Sequence, residues 1–304
     1  MISRYTHKKI KWINLESPTP EEVRSVMEEF NIHQLVANEL LSPSARPKVD
    51  FYDKFIYLIL HFPYFVHGHG KRPEQEVDFI IGKNFLITAH YETIDAIHEF
   101  SKVFEVNSII DKSHVGKHAG FLSFYLIREL YRSLSRELES INHLMSKVES
   151  NIFEGQEKRM VHEISKLSRN LLGFKQSMNL HKDTLVSFEA AGRQFFGEDF
   201  LYYLKALSGE YYKVAGMLDG STDILSVLKE TNDSLLSTKT NETMKVLTVM
   251  AFLTLPLSLI TQVFGMSYPN LPIISQPGGF WVILVGMASI AILLFAYFKY
   301  KKWI

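Results

Sequence analysis

The 304-residue chain contains no cysteine. That excludes a disulfide framework and any thiolate metal site, and it fits a reducing compartment. Charge is missing from one long stretch: none of the 53 residues at 246–298 is Asp, Glu, Lys, Arg or His. All 33 acidic side chains and 30 of the 33 basic ones precede it. The rest of the chain is therefore slightly acidic and lacks the basic footprint of a nucleic-acid partner. The N-terminal segment has Lys8, Lys9 and Lys11 but no apolar run behind them, so it does not read as a signal peptide. No Gly-x-x-x-x-Gly-Lys phosphate loop, nucleophile motif or paired-carboxylate signature is present. Enzymatic function and a bound cofactor are not expected.

What the uncharged stretch contains is two membrane spans. A bilayer core about 30 Å thick needs roughly 20 apolar residues in helix, and 246–266 and 280–298 both meet that need. Between them Pro269, Pro272, Pro277, Gly278 and Gly279 stop any helix, so the spans form a hairpin with a short loop. Lys239 and Lys245 precede the first span, Lys299, Lys301 and Lys302 follow the second, and the loop has no positive charge. Positive residues stay on the cytoplasmic side, which predicts a multi-pass plasma-membrane protein with both termini in the cytoplasm. Tyr297, Tyr300 and Trp303 would mark the inner interface, Tyr268 and Trp281 the outer one.

The preceding residues predict an α+β architecture in three parts: a cytosolic α/β domain at 1–115, a long-helix stalk at 116–240 and the two-span segment at 241–304. A strand at 9–15 enters Ser17-Pro18-Thr19-Pro20-Glu21-Glu22, a helix-start signal, with helix to about Glu29. A β-rich run at 54–62 precedes a hairpin whose strands, 76–81 and 85–90, flank Gly82-Lys83-Asn84. Beyond about Lys117 the period becomes helical, with Leu126, Leu130, Leu134, Leu138, Ile141, Met145, Val148 and Ile152 on one face. A second helix is expected at 157–188, and a third from about Gly197 runs on into the first span. So long a helix needs neighbours, which predicts an oligomer.

Heptad steps along that third helix select Asp223, Val227, Glu230, Ser234, Ser237, Asn241, Met244, Thr248, Ala251, Leu255, Ser258, Gln262 and Gly265. A period of 3.5 keeps one face on the axis of a left-handed bundle. Here that face is hydroxyl, amide and carboxylate, and it continues into the lipid. Polar groups in a membrane face a bundle interior or a wet path, although Thr248, Ser258 or Thr261 taken singly could simply bond their own backbone. Met244 and Leu255 would be apolar constrictions able to gate by dewetting. The oxygen-rich face suits a hard cation that keeps its water, such as magnesium.

The run Asn241-Glu242-Thr243-Met244-Lys245-Val246-Leu247-Thr248, then Pro256-Leu257 and Phe264-Gly265-Met266, strongly resembles the first transmembrane helix of the CorA family of magnesium and divalent metal ion transporters. Tyr300-Lys301-Lys302-Trp303-Ile304 is similar to that family's basic tail, and Arg46-Pro47-Lys48 and the 79–90 hairpin also resemble it. The resemblance implies a funnel-shaped homopentamer around one pore. It places Glu230, Asn241, Met244, Leu255, Ser258, Gly265 and Met266 at pore-facing sites, with transient ion contacts at Asn241, Ser258 and Ser267. At the outer mouth the family pattern Gly-Met-Asn is replaced by Gly265-Met266-Ser267. A hydroxyl there stands for an amide carbonyl. The loop lacks the family's acidic residue, and 200–205 carries no acid for a regulatory metal.

The expected activity is passive flux of a divalent cation, with magnesium first and cobalt or nickel as further ions. The partners are a second copy of the chain, the bilayer and the ion. Two alternatives stay open: a zinc transporter of the same fold, and a non-conducting scaffold or sensor descended from a channel. His61, His67 and His69 could bind a soft metal but lack a fourth ligand at a clear spacing, so they read as loop residues. Asp50 with Asp53, and Glu76 with Asp78, read equally as weak cation contacts or as surface solubility.

Overall fold

The computed structural model describes residues 1–63, 74–109, 117–266, 278–301 and 303. His67, His69, Ser267, Tyr268, Asn270 and the three loop prolines lie outside the described residues, as do Lys302 and Ile304. The chain divides into two compact units, Met1–Lys229 and Glu230–Ile304.

The first unit is built on a six-stranded sheet of order β1-β2-β6-β5-β4-β3. Its strands are β1 (Ile2–His7), β2 (Ile10–Glu16), β3 (Lys48–Phe51), β4 (Phe55–Pro63), β5 (Glu74–Gly82) and β6 (Phe85–His90). Only β2 and β6 pair in parallel. Every residue of β4 is buried, the pattern of a strand covered on both faces. One face carries Ile13, Leu15, Tyr57, Ile59, Ile80 and Ile87 into a core with Val23, Val26, Val36 and Leu40. Val23 and Val26 come from α1 (Pro20–Phe30), Val36 comes from α2 (Gln34–Glu39), and Leu40 caps α2. The Gly82–Phe85 turn is tight: a Cβ on Gly82 would run into the Phe85 ring.

The helix-start signal at Thr19 forms a full capping box. Thr19 Oγ1 accepts from the Glu22 N–H, and the Glu22 carboxylate accepts from the Thr19 N–H. Asn31 ends α1 in the left-handed region, φ 52°. On the other side of the sheet, Trp12 stands edge-on to Phe100 and Phe104 of α3 (Asp95–Ile109) and donates Nε1–H to Thr88 Oγ1 at 3.0 Å.

The helical part of this unit comprises α4 (Ala119–Phe153), α5 (Glu157–Met178) and α6 (His181–Phe196), followed by the start of α7 (Glu198–Gly265). The eight apolar residues of the α4 period are all buried. The single helix expected at 157–188 is in fact two, broken at Asn179 and Leu180. No glycine or proline marks the break. Its physical reason is the buried His181 that opens α6. The Nε2 of His181 lies 2.7 Å from the His61 carbonyl, and its Nδ1 lies 2.8 Å from the Tyr131 hydroxyl. A carbonyl only accepts, so Nε2 carries the hydrogen and Nδ1 accepts from Tyr131. This chain ties α4, α6 and β4 together.

The second unit holds α7 from Glu230 onward and α8 (Gly279–Tyr300). Both helices are long and apolar enough to cross a membrane. Each shows one covered stripe. On α7, Val249 is buried, and Leu253, Leu257, Ile260 and Phe264 are half-buried. On α8, Ile283, Met287, Ala291 and Leu294 are half-buried and Phe298 is buried. The Phe252 and Phe298 rings are 6.2 Å apart. Steps of three and four on both helices give the knobs-into-holes spacing of a paired hairpin.

Candidate functional site: the polar face of the long helix

The covered stripe leaves another face of α7 bare, and the heptad series lies on it. Glu230, Asn241, Met244, Ala251, Leu255, Ser258, Gln262, Gly265 and Met266 are exposed, and Thr248 is half-buried. The backbone is helical through Gly265, so the spacing that joins these residues is kept from the stalk into the apolar segment. Met244 and Leu255 are 57% and 65% exposed, so the α7–α8 hairpin does not bury them. Pro256 interrupts the backbone ladder one residue beyond Leu255, because it has no N–H to return to the Phe252 carbonyl.

The hydroxyls on this helix are oriented by their own backbone. Thr248 Oγ1 donates to the Met244 carbonyl at 2.7 Å, and Ser258 Oγ donates to the Leu255 carbonyl at 2.9 Å. Thr254 and Thr261 do the same one turn back. The local bond that explains each hydroxyl singly is therefore made. It also has a chemical consequence. A hydroxyl whose hydrogen is committed to the backbone shows only acceptor lone pairs to its surroundings. Thr248 and Ser258 thus offer acceptors, while Asn241 and Gln262 add amide carbonyls. These acceptors match the outward-pointing hydrogens of a hydrated cation.

In the stalk, the acid-free region at 200–205 is packed along one side. Phe200 and Leu204 are buried, and Phe200 stands 5.0 Å from both Phe196 and His118. His118 stacks on Phe196 at 4.3 Å, and burial lowers its pKa to about 4.

The sequence reading missed a polar cavity of about 330 Å³ in the first unit, lined by Ser44, His61, Glu74, Glu76, Tyr91 and Glu92 among others. His61 is a buried strand residue, not a loop residue. Its Nε2 is 3.1 Å from Glu76 Oε2. Glu76 and Asp78 are buried as well, at 6% and 0% exposure, so surface solubility does not account for them. Only the alternation of β5 could have signalled this. Among the described residues no group of three or more His, Asp or Glu side chains is arranged to hold a metal.

An α/β domain followed by one continuous helix and a second apolar helix, with a polar face on the first, is the architecture of a two-span membrane protein. The CorA-like Mg2+ transporter protein family matches residues 7–301, and the chain belongs to that family. The cobalt/magnesium transport protein CorA of Thermotoga maritima is 29% identical over 295 residues, 96% of this chain and 83% of the relative. The divalent cation transporter CmaX of Pseudomonas aeruginosa is 19% identical over 96% of this chain and 87% of its own. In fold, the complete CorA structure from Methanocaldococcus jannaschii superposes with a TM-score of 0.84 at 22% identity, covering 99% of this chain and 93% of that one.

Proposed function

We propose that the chain is one subunit of a homopentameric plasma-membrane channel for hydrated divalent cations, magnesium first, with cobalt and nickel as further ions. The observation that carries this reading is the exposed face of α7, whose hydroxyls at Thr248 and Ser258 are locked as acceptors. Around a shared axis, Asn241, Thr248, Ser258 and Gln262 supply rings of weak oxygen contacts, enough for entry and loose enough for exit. Met244 and Leu255 supply apolar rings between them, Ala251 gives width, and Glu230 draws cations below the membrane. Gly265, Met266 and Ser267 form the outer mouth. With both termini cytoplasmic, the membrane potential drives entry by about 4.6 kcal/mol per 100 mV for a doubly charged ion. The magnesium and cobalt named for the Thermotoga maritima relative support the choice of ion.

Uptake into liposomes holding the reconstituted protein tests the proposal. Magnesium should enter faster than into empty liposomes, with cobalt and nickel competing. Absence of divalent flux would leave a non-conducting membrane scaffold. Flux that appears only in Ser267→Asn would assign the loss of conduction to the outer mouth.

A further inference from the structure

Glu76 and Asp78 stand two residues apart on β5 and share one side of the sheet, the side that carries Tyr57, Ile59 and Ile80 into the α1–α2 core. Their surroundings differ sharply. Glu76 accepts from the Ser44 backbone N–H at 2.6 Å and from Ser44 Oγ at 3.1 Å, and His61 Nε2 lies 3.1 Å from its Oε2. Asp78 is fully buried, and neither of its oxygens has a donor.

An ionised carboxylate without donors is among the costliest groups an interior can hold. A second carboxylate within hydrogen-bonding reach makes double ionisation worse. Donor bookkeeping assigns the charges. Donors converge on Glu76, which is the carboxylate. None reaches Asp78, which is the acid, with Glu76 as its nearest acidic neighbour on the strand.

The other groups facing the pair reinforce this. They are Tyr57 and His61 on β4, Lys48 on β3, Glu39 at the end of α2 and Tyr91 beyond β6. Lys48, the one ammonium among them, is held by Glu39 at 2.8 Å and Asp50 at 2.7 Å. Tyr91 donates to the Glu39 carbonyl at 3.3 Å. Glu74 and Glu92 add further acid along the adjoining cavity. Burial first, then the Glu76 charge, holds the Asp78 carboxyl well above the ordinary carboxylate range.

We propose that Glu76 and Asp78 form a proton-binding site in the sheet, with Asp78 a neutral acid at physiological pH whose hydrogen bond fixes the Glu76 carboxylate. Glu76 in turn holds Ser44, so the shared proton latches the connection between α2 and β3 to β5. Alkaline loss of the proton sets two charges against each other and loosens that connection. The inference is independent of ion conduction.

Infrared difference spectra and thermal unfolding of the full chain in detergent test it. The wild type should show the carbonyl absorption of an un-ionised carboxylic acid at neutral pH, and that absorption should vanish as pH rises. Asp78→Asn is a neutral, similarly shaped stand-in for the acid, with a carbonyl acceptor and an NH2 group that donates, and should lack the absorption. Its melting temperature should fall less than that of the wild type as pH rises above the ordinary carboxylate range. An absorption missing from the wild type, or surviving in Asp78→Asn, or equal pH slopes for both proteins, would overturn the proposal. If Asp78→Asn does not fold, the titration of the wild-type absorption decides alone.

Discussion

At His181 one side chain joins three elements, and its ionisation is set by where it stands. Burial lowers its pKa to about 4, from an unfolded value near 6.5. Between those limits the unfolded chain binds more protons than the native one. Stability is therefore complete above about pH 6.5 and is lost as pH falls toward 4. His118 titrates in the same direction for the same reason. His181→Asn should flatten the acid limb of a melting-temperature profile, and an unchanged limb would remove His181 from the account. Tyr131→Phe deletes the donor to Nδ1 and leaves a buried acceptor bare, which should cost about 1–3 kcal/mol. Chemical or thermal unfolding at neutral pH measures that loss. None of this was legible in the sequence, because the contact joins residues 50 and 120 positions apart and no spacing rule reaches that far.

Individual elements were legible where local chemistry and burial agree. The Thr19–Glu22 box, the apolar run of β4 and the 82–85 turn each declare themselves, and they appear at the expected places within a residue or two. Thr19→Ala should lower stability by about 1 kcal/mol through the lost cap, read as a lower melting temperature. The strand β1 alternates polar Ser3, Arg4 and Thr6 with Ile2 and Tyr5 and ends at His7, before Lys8, whose φ is 51°. It is a strand because it pairs with β2, a tertiary cause that composition conceals. The α5–α6 break is hidden for the same reason. On α7 the heptad series and the backbone bond open to each hydroxyl were readable, but not that Thr248 and Ser258 both make it and so face outward as acceptors only. Thr248→Val keeps the shape and removes the acceptor. It should slow magnesium uptake about tenfold, the equivalent of one hydrogen bond per ion position, while leaving the melting temperature unchanged or slightly higher. Equal uptake by the two proteins would show that Thr248 does not meet the ion.

Across the whole molecule, the division of charge accounts for the division of labour. Acidic and basic side chains all lie before residue 246, apart from the lysines beyond Phe298. The covered stripes of α7 and α8 hold the hairpin together, and the polar face of α7 stays outside that contact. A lone hairpin would set that face against lipid at a cost of several kcal/mol, so in the proposed channel assembly and conduction follow from one sequence pattern. Mass measured in detergent should therefore give a closed oligomer, five copies in the proposed channel. The central claim is that this polar face conducts hydrated divalent cations. Magnesium uptake into liposomes under an inside-negative potential, compared between wild type and Ser258→Leu, tests it most directly. The wild type should take up magnesium well above empty liposomes, and Ser258→Leu, which seals the face with an apolar ring, should fall to the background. Equal uptake by the two proteins, or none by the wild type, would contradict the account.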